Sequence, residues 1–332
     1  MTVRTDWSTL ATALSRWPDF SHATPTLINL SENHTFRLDL PTGERAILRV
    51  HRPGYHSQLA IESELAWMRA LRSDAGLFTP RPLPGRDGAL VQHAPFLHVE
   101  DSRFMVAFAF EDGLEPREDE DLVGVFGQLG ELAARCHAHV ERWTPPVPFE
   151  RQVWDADAVL NRNAIWGDWR AAPGVDTDVR AVLDRLDTAL RGALADYGRA
   201  QDRFGLIHAD MRLANLLVED GATRLIDFDD CGFGWFGYDF GAAVSFFEDS
   251  DIVPALRAAW LAGYRRHRAF SARDEAMLDV MVLLRRMALL AWTGSHAETD
   301  LAQSLHASFA KGTAGMAHRY LGTGTIDRAV QS

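Results

Sequence analysis

The chain is poor in cysteine, in long apolar runs and in basic residues. Its two cysteines, Cys136 and Cys231, are too few for a disulfide framework. The longest apolar stretch, residues 280–292, is interrupted by Arg285 and Arg286, so it does not predict a membrane span. No signal-peptide pattern opens the chain. We therefore expect a reduced, cytoplasmic protein that has no membrane partner.

Acidic residues outnumber basic ones. The 34 Lys and Arg against 46 Asp and Glu give a net charge of -12, whereas binding to nucleic-acid phosphates needs clustered basic side chains. We therefore expect no nucleic-acid partner. The sequence also lacks internal repeats and low-complexity segments, and its 332 residues are enough for two lobes with sizeable cores. Nothing in it predicts an oligomeric state.

The most informative segment runs from residue 206 to residue 230. Two short apolar runs predict strands, and residues 219–223 between them are typical of a hairpin turn. If the strands pair symmetrically about Gly221, Asn215 faces Asp227 at about 5 Å. An amide oxygen and a carboxylate this close form a site for a hard cation such as Mg²⁺. Asp210 precedes this site and is placed to receive a proton from a hydroxyl.

This segment resembles the catalytic and metal loops of the protein-kinase-like superfamily, in which H-x-D-x-x-x-x-N precedes a metal-binding Asp. Residues 208–210 stand where the aminoglycoside phosphotransferase and choline kinase branch has H-G-D, and residues 238–239 match its Tyr-Asp pair. The pattern at residues 48–53 and 226–230 looks most like the homoserine kinase type II and stress-response kinase branch. The competing interpretation is a buried hairpin in which Asp and Asn only form turns.

The resemblance implies an α+β, bilobal protein-kinase-like fold. A small antiparallel-sheet lobe that binds nucleotide would occupy residues 1–108, and a larger, mainly helical catalytic lobe residues 109–332. The residue pattern agrees: residues 35–40 and 45–50 predict strands, residues 58–71 predict a helix, and the pattern after Glu118 is mostly helical. The Gly- and Thr-rich tail after Lys311 predicts a loosely ordered segment.

The resemblance also implies nucleotide contacts in the first lobe. Arg49 takes the place of the cation for the phosphates, with Glu64 as its partner and Glu62 as the alternative. Adenine would lie against the backbone near Phe108 to Phe110, on a strand that we interpret as an edge strand and hinge. The alternative interpretation of Arg49 and Glu64 is an exposed surface pair.

Two features depart from the family pattern. The family usually has Lys at the Arg49 position. Arginine binds phosphate through two N–H groups of its planar guanidinium, whereas the ammonium of lysine acts as a point charge. The loop 29–34, where phosphates are covered in the family, contains no glycine. Ser31, Asn33 and backbone amides are candidates for that contact.

The resemblance implies a mechanism as well. Asp210 would accept or orient the proton of an alcohol, while His208 braces the loop through hydrogen bonds. Mg²⁺ held by Asn215 and Asp227 would bridge the phosphates of ATP, with GTP as the alternative nucleoside triphosphate. Asp229 would reach a second metal if the backbone stays extended.

Several residues keep two interpretations. Asp239 either anchors the catalytic loop through backbone amides or caps a helix, and Asp230 faces solvent or substrate. We expect His137 and His139 to be packed or solvated rather than metal ligands. Three tryptophans either wall a substrate cleft or pack under a loop: Trp154, Trp166 and Trp169.

The phosphate acceptor is read from weaker features. The acidic run 246–251 favours an amine-bearing alcohol such as an aminoglycoside or choline-like acceptor, whereas Arg285 and Arg286 favour a homoserine-like carboxylate; both patterns also occur on ordinary surfaces. We favour a kinase of small-molecule hydroxyls. One alternative is a bacterial Ser/Thr protein kinase, although this sequence has no evident analogue of the protein-kinase A-P-E motif after Asp227. The other is a catalytically silent nucleotide-binding module.

Overall fold

The computed structural model describes residues 8–30, 33–98, 100–306 and 308–327. The chain divides into two compact units. The first contains the described residues up to Ser73, Phe78–Asp112 and Pro145–Glu150. The second contains Asp74–Leu77, Gly113–Thr144 and the described residues from Arg151 onward. The lobe boundary between residues 108 and 109 stays a prediction.

Within its described residues, the first unit forms a six-stranded antiparallel sheet and two helices. The strands are β1 (Thr24–Leu30), β2 (His34–Asp39), β3 (Arg45–Val50), β4 (Pro82–Leu83), β5 (Val91–Pro95) and β6 (Ser102–Ala109), and the helices are α1 (Ser8–Leu14) and α2 (Gln58–Ala75). The strand order is β1-β2-β3-β6-β4, and β5 also pairs with β6. The predicted strands and helix around residues 35–71 are confirmed, and the α+β class with them.

The turn between β2 and β3 fixes which side chains face the core. Gly43 at φ 86° closes this turn, and Leu40 N donates to Glu44 O at 2.9 Å. Phe36 then pairs with Leu48 across the ladder, and both are fully buried. This alternation of buried and outward positions leaves Arg49 on the opposite face from Leu48.

The interpretation of residues 104–110 as an edge strand is wrong. β6 pairs with β3 on one side and with β4 and β5 on the other. Met105, Val106 and Ala107 are fully buried in succession. An uninterrupted apolar run is typical of a strand covered on both faces, whereas an edge strand carries charges or proline.

The second unit is mainly helical. Its helices are α3 (Leu122–Val140), α4 (Ala156–Leu160), α5 (Thr177–Tyr197), α6 (Tyr238–Ala243), α7 (Val253–Tyr264), α8 (Ala272–Ala276), α9 (Leu278–Ser295), α10 (Asp300–Leu305) and α11 (Phe309–Thr323). Its strands are β7 (Gln152–Trp154), β8 (Phe204–Ile207), β9 (Leu216–Glu219), β10 (Ala222–Leu225) and β11 (Gly232–Trp235). β9 and β10 form a hairpin, and β11 lies between β7 and β8.

α9 is the buried helix of this unit. Every residue from Leu278 to Thr293 is buried. α6 lies close against it, because a Cβ added at Gly241 would stand 2.7 Å from the Met281 carbonyl oxygen. None of the helices in the described part of the chain is long and apolar enough to cross a membrane.

Two predictions for the second unit are resolved by packing. Residues 312–323 are not loose: they belong to α11, whose Phe309, Ala310 and Met316 are buried, while residues 328–332 lie outside the described part of the chain. The prediction of a loose tail was wrong because it considered the glycines and threonines and not the apolar side chains that recur at helical spacing among them. The three tryptophans pack in the core, since Trp154 and Trp169 are fully buried and Trp166 is 5% exposed.

Candidate active site

The loop that carries Asp210 follows β8 and is anchored by Asp239. The backbone N–H groups of His208 and Ala209 donate to the Asp239 carboxylate at 3.2 and 2.7 Å. His137 Nε2 donates to the same carboxylate at 3.0 Å. Asp239 lies inside α6, and no side-chain hydrogen bond caps that helix at Gly237. The interpretation of Asp239 as a loop anchor is therefore confirmed, and the helix-cap interpretation is wrong.

Ala209 stands in a backbone conformation that favours glycine. Its φ is 68°, which costs an alanine about 1–2 kcal/mol. The N–H bonded to Asp239 holds this conformation, and the Ala209 carbonyl accepts from Arg285 Nη1 at 3.2 Å. The family's H-G-D has glycine here, so the alanine in this chain is kept at a strained position by its hydrogen bonds.

His208 braces the loop and is neutral. Its Nδ1 accepts from the Asp210 N–H at 3.2 Å, so Nε2 carries the proton and donates to the Ile226 carbonyl at 3.1 Å. Burial lowers the pKa of His208 and outweighs the nearby carboxylates. The ring therefore links the loop of Asp210 to the residue before Asp227, in the bracing arrangement that the resemblance implied.

The Asp210 carboxylate is buried and ionised. Asn215 Nδ2 and Arg212 Nε donate to its Oδ2 at 2.6 and 3.2 Å, and Arg285 Nη2 donates to its Oδ1. Burial raises the pKa of Asp210, but the charges of Arg285 and Arg212 outweigh this effect and hold the pKa below its usual range. The group is therefore a charged acceptor of hydrogen bonds at neutral pH.

The predicted register of the β9–β10 hairpin is wrong by one residue. Glu219 pairs with Ala222 and Leu216 with Leu225, so the loop has two residues and its centre is not Gly221. Asp220 and Gly221 have φ of 51° and 77°, as the two-residue turn that suits Asp-Gly requires. Asn215 consequently lies opposite Ile226, whose N–H donates to the Asn215 carbonyl at 2.9 Å, and not opposite Asp227.

Asn215 still offers an oxygen for a cation. Its Nδ2 donates to Asp210 O at 2.9 Å and to Asp210 Oδ2 at 2.6 Å, so both amide hydrogens face Asp210. No hydrogen-bond donor among the described residues reaches Oδ1 of this amide. Asp227 follows Ile226 at φ 59° and is half-buried. Amide and carboxylate oxygens are the ligands that a hard cation such as Mg²⁺ prefers, so the chemistry of Asn215 and Asp227 fits one, and their binding of a metal stays a prediction.

The backbone after Asp227 forms a turn and does not stay extended. Cys231 N donates to Phe228 O at 2.9 Å. Arg151 donates to the Asp229 carbonyl, and Trp154 Nε1 donates to the Asp230 carbonyl at 2.7 Å. Both aspartates are buried, so the alternative in which Asp230 faces solvent is wrong, and the one in which it faces substrate stays a prediction. A metal contact for Asp229 stays a prediction.

No group of three or more His, Cys, Asp and Glu side chains within the described ranges is arranged to hold a metal ion. His137 is packed: Nδ1 accepts from the Tyr264 hydroxyl at 2.9 Å, and its ring stacks on Phe236. His139 approaches Asp74 at 3.4 Å.

In the first unit, Arg49 on β3 forms an ion pair with Glu64 on α2. Arg49 Nη1 lies 2.8 Å from Oε1 and 3.0 Å from Oε2 of Glu64. The Glu64 side chain has no exposed surface, so the interpretation as an exposed pair is wrong. Glu62 is exposed and accepts from Gln58. The only lysine in the sequence is Lys311, so no lysine precedes α2.

Among the residues expected near a nucleotide, Phe108 lies beside Arg49 of this pair. The Arg49 guanidinium is 5.1 Å from the centre of the Phe108 ring, and the Arg45 guanidinium is 3.9 Å from that of Phe110. Asn33 Oδ1 accepts from Arg52 N at 3.1 Å. Ser31 lies outside the described residues. Nucleotide contacts by these residues stay predictions.

Arg285 and Arg286 are engaged inside the protein. Arg285 bonds to Asp210, and Arg286 Nη1 donates to Glu248 Oε2 at 2.6 Å. The acidic run is also used internally, since Asp249 pairs with Arg319. The expectation that these arginines bind a substrate carboxylate is therefore wrong. Charges within an apolar helix must be paired, and that rule could have predicted buried ion pairs for both arginines. No sequence pattern predicted that Arg212 would contact Asp210.

The two units have the α+β architecture of protein-kinase-like phosphotransferases. A model of the phosphotransferase enzyme family matches residues 26–275, and the chain belongs to this family. A solved microcompartment-associated aminopropanol kinase is 41% identical, covers 96% of this chain and 98% of its own, and has a TM-score of 0.88.

Two amicoumacin kinases are more distant. That of Bacillus subtilis strain 168 is 26% identical over 229 residues, which are 68% of this chain but only 64% of that protein. A solved amicoumacin kinase, in complex with AMP-PNP, Ca²⁺ and Ami, is 21% identical with a TM-score of 0.75 over 96% of this chain and 93% of its own. At that identity the likeness shows the fold.

Proposed function

We propose that this enzyme transfers the γ-phosphoryl group of ATP to the hydroxyl of a small amino alcohol. The observation that carries the proposal is the ionised carboxylate of Asp210, bound to Asn215 on a loop braced by His208 and Asp239. Phosphoryl transfer depends mainly on positioning and on charge stabilisation. A loop fixed by backbone and side-chain hydrogen bonds suits that requirement.

The acceptor class follows from two observations. The aminopropanol kinase that is 41% identical along nearly the whole chain supports an amino alcohol. A homoserine-like acceptor would need a cation for its carboxylate, and Arg285 and Arg286 are both engaged with protein carboxylates. An aminoglycoside would need the acidic run 246–251, where Glu248 is buried against Arg286.

In the proposed mechanism, Asp210 accepts a hydrogen bond from the alcohol and takes its proton as the oxygen bonds to the γ-phosphorus and the bond to the β-phosphate oxygen breaks. Arg49, held by Glu64, contacts the phosphates, and adenine lies near Phe108 and Phe110. Asn215 and Asp227 would hold Mg²⁺, with Asp229 as a further ligand. When bound, the ion neutralises charge on the phosphates.

The test is acceptor-dependent formation of ADP from ATP. The panel contains aminopropanol, ethanolamine, homoserine, an aminoglycoside and a Ser/Thr peptide, each with Mg²⁺, and GTP in a parallel series. We expect phosphorylation of an amino alcohol, with kcat lower by about 10²–10⁴ in Asp210→Asn. Asp249→Asn, which removes a partly exposed carboxylate paired with Arg319, is the control and should keep its kcat.

Each negative result has a separate meaning. Full activity in Asp210→Asn would refute the proposed base. Turnover of the peptide alone would make the chain a protein kinase, and nucleotide binding without phosphorylation of any acceptor would make it a silent nucleotide-binding module.

A further inference from the structure

Arg285 is a buried charge that contacts the loop of Asp210 at two points, the Asp210 carboxylate and the Ala209 carbonyl. Its side chain, on α9, is 2% exposed. Nη2 donates to Asp210 Oδ1, Nη1 to the Ala209 carbonyl at 3.2 Å, and Nε to Ser245 Oγ at 3.2 Å. The guanidinium carbon lies 4.9 Å from the centre of the Trp166 ring. These contacts come from separate segments of the unit, so the planar fork is held in one orientation.

The hydrogen bonds of Asp210 leave its two oxygens unequal. An ionised carboxylate has about four acceptor positions, two on each oxygen. Asn215 and Arg212 donate to Oδ2, whereas Arg285 is the single described donor to Oδ1. Oδ2 is therefore saturated, and Oδ1 keeps one position. The Asp210 side chain is 12% exposed, so that position is not sealed from a substrate.

We propose that Arg285 is a positioning residue, which holds the Asp210 carboxylate in one orientation so that Oδ1 receives the acceptor hydroxyl. The inference rests on the proposed function. Without Arg285, the carboxylate can rotate about its Cβ–Cγ bond and exchange its two oxygens, and the Ala209 carbonyl loses the donor that helps to keep its strained φ of 68°.

Arg286 provides a matched control. It is the next residue of the same buried helix, its side chain is 8% exposed, and it pairs with the buried Glu248. Its guanidinium also lies against an aromatic ring, that of Phe309 at 3.6 Å. Its contacts in the described part of the chain are with Glu248, Thr313 and Phe309, and none of them reaches Asp210 or Ala209. Replacing either arginine by methionine removes a buried charge from an ion pair, but only one of these changes affects the proposed base.

The experiment compares Arg285→Met, Arg285→Lys and Arg286→Met for amino alcohol phosphorylation, nucleotide KM and thermal unfolding. In Arg285→Met we expect kcat to fall about a hundredfold, the effect of misplacing a reacting group, with the KM for ATP within about threefold. Arg285→Lys keeps the charge but not the fork, so part of kcat returns. Arg286→Met should lose comparable thermal stability with kcat within about threefold.

Equal losses of kcat in the two methionine variants, or a wild-type kcat in Arg285→Met, would overturn the inference. If Arg285→Met does not fold, Arg285→Lys decides: kcat about tenfold lower at unchanged KM supports positioning, and wild-type kcat overturns it. A wild-type protein that phosphorylates no acceptor overturns the proposed function and this inference together. An active wild type with unaffected Arg285 variants overturns the inference alone.

Discussion

Arg49 and Glu64 illustrate how this protein places charge in its interior. The Glu64 side chain has no exposed surface and that of Arg49 is 7% exposed. Removing one partner of such a pair leaves the other charge buried without compensation, whereas replacing both by apolar side chains is often neutral. The same reasoning applies to Arg286 and Glu248.

At the residue scale, we expect Arg49→Met to lower the free energy of unfolding by about 3–5 kcal/mol, because it leaves the buried Glu64 carboxylate without the charge of Arg49. Urea unfolding curves measure the loss. The double variant Arg49→Met/Glu64→Leu should recover most of it. Arg37→Met breaks the pair with Asp39, whose side chains are 39% and 40% exposed, and should cost less than about 1 kcal/mol. A double variant as unstable as Arg49→Met would contradict the argument.

The sequence identified both members of this pair but not its burial. The resemblance to the kinase-like family implied Arg49 as the cation and Glu64 as its partner, with Glu62 as the alternative. Only the packing of α2 decides between them: Glu64 points inward, while Glu62 is exposed and bonds to Gln58. Two carboxylates two residues apart face different sides of a helix, and the sequence does not say which side is covered.

At the element scale, the candidate cation ligands flank the β9–β10 hairpin: Asn215 directly precedes β9, and Asp227 follows β10 by two residues. Its turn is fixed from outside as well as by its own φ angles: Gln128 on α3 donates to Gly221 O at 2.8 Å and accepts from Thr223 N at 2.7 Å. Val218 exchanges two backbone hydrogen bonds with Leu114. The hairpin is therefore held on both sides, and Asn215 at its base with it.

We expect Gly221→Ala to lower the free energy of unfolding by about 1–2 kcal/mol, since alanine at φ 77° is strained although no atom lies within 4 Å of the added Cβ. The matched control Asp220→Asn keeps a side chain that tolerates positive φ and should change it by less than about 0.5 kcal/mol. Urea midpoints compare the two. An equal effect of both changes would show that the strain is not located at Gly221.

At the scale of the whole molecule, the buried histidines couple stability to pH. Burial lowers the pKa of His137 and of His208, and it also lowers the pKa of the partly exposed His34 and His139. The unfolded chain then binds more protons than the folded protein once pH falls below the ordinary histidine pKa of about 6.5. Stability must therefore decrease as pH decreases through this range.

We expect the free energy of unfolding, measured in urea, to fall steadily from pH 7 to pH 5. His137→Gln removes one of the titrating groups and should reduce the slope by up to about 1.4 kcal/mol per pH unit. The lowered pKa of Asp210 adds a further loss only in stronger acid. If the stability instead rises towards pH 5, the Asp239 carboxylate raises the pKa of His137 by more than burial lowers it.

The sequence by itself determined the family, the α+β class and the loop from His208 to Asn215, because these depend on local spacing, turn residues and apolar periodicity. Tertiary structure decided the hairpin register, the central place of β6 and the partners of Arg285 and Arg286. Pairing between residues distant in sequence depends on which faces become buried together, and each buried charge takes whichever carboxylate the packing brings to it.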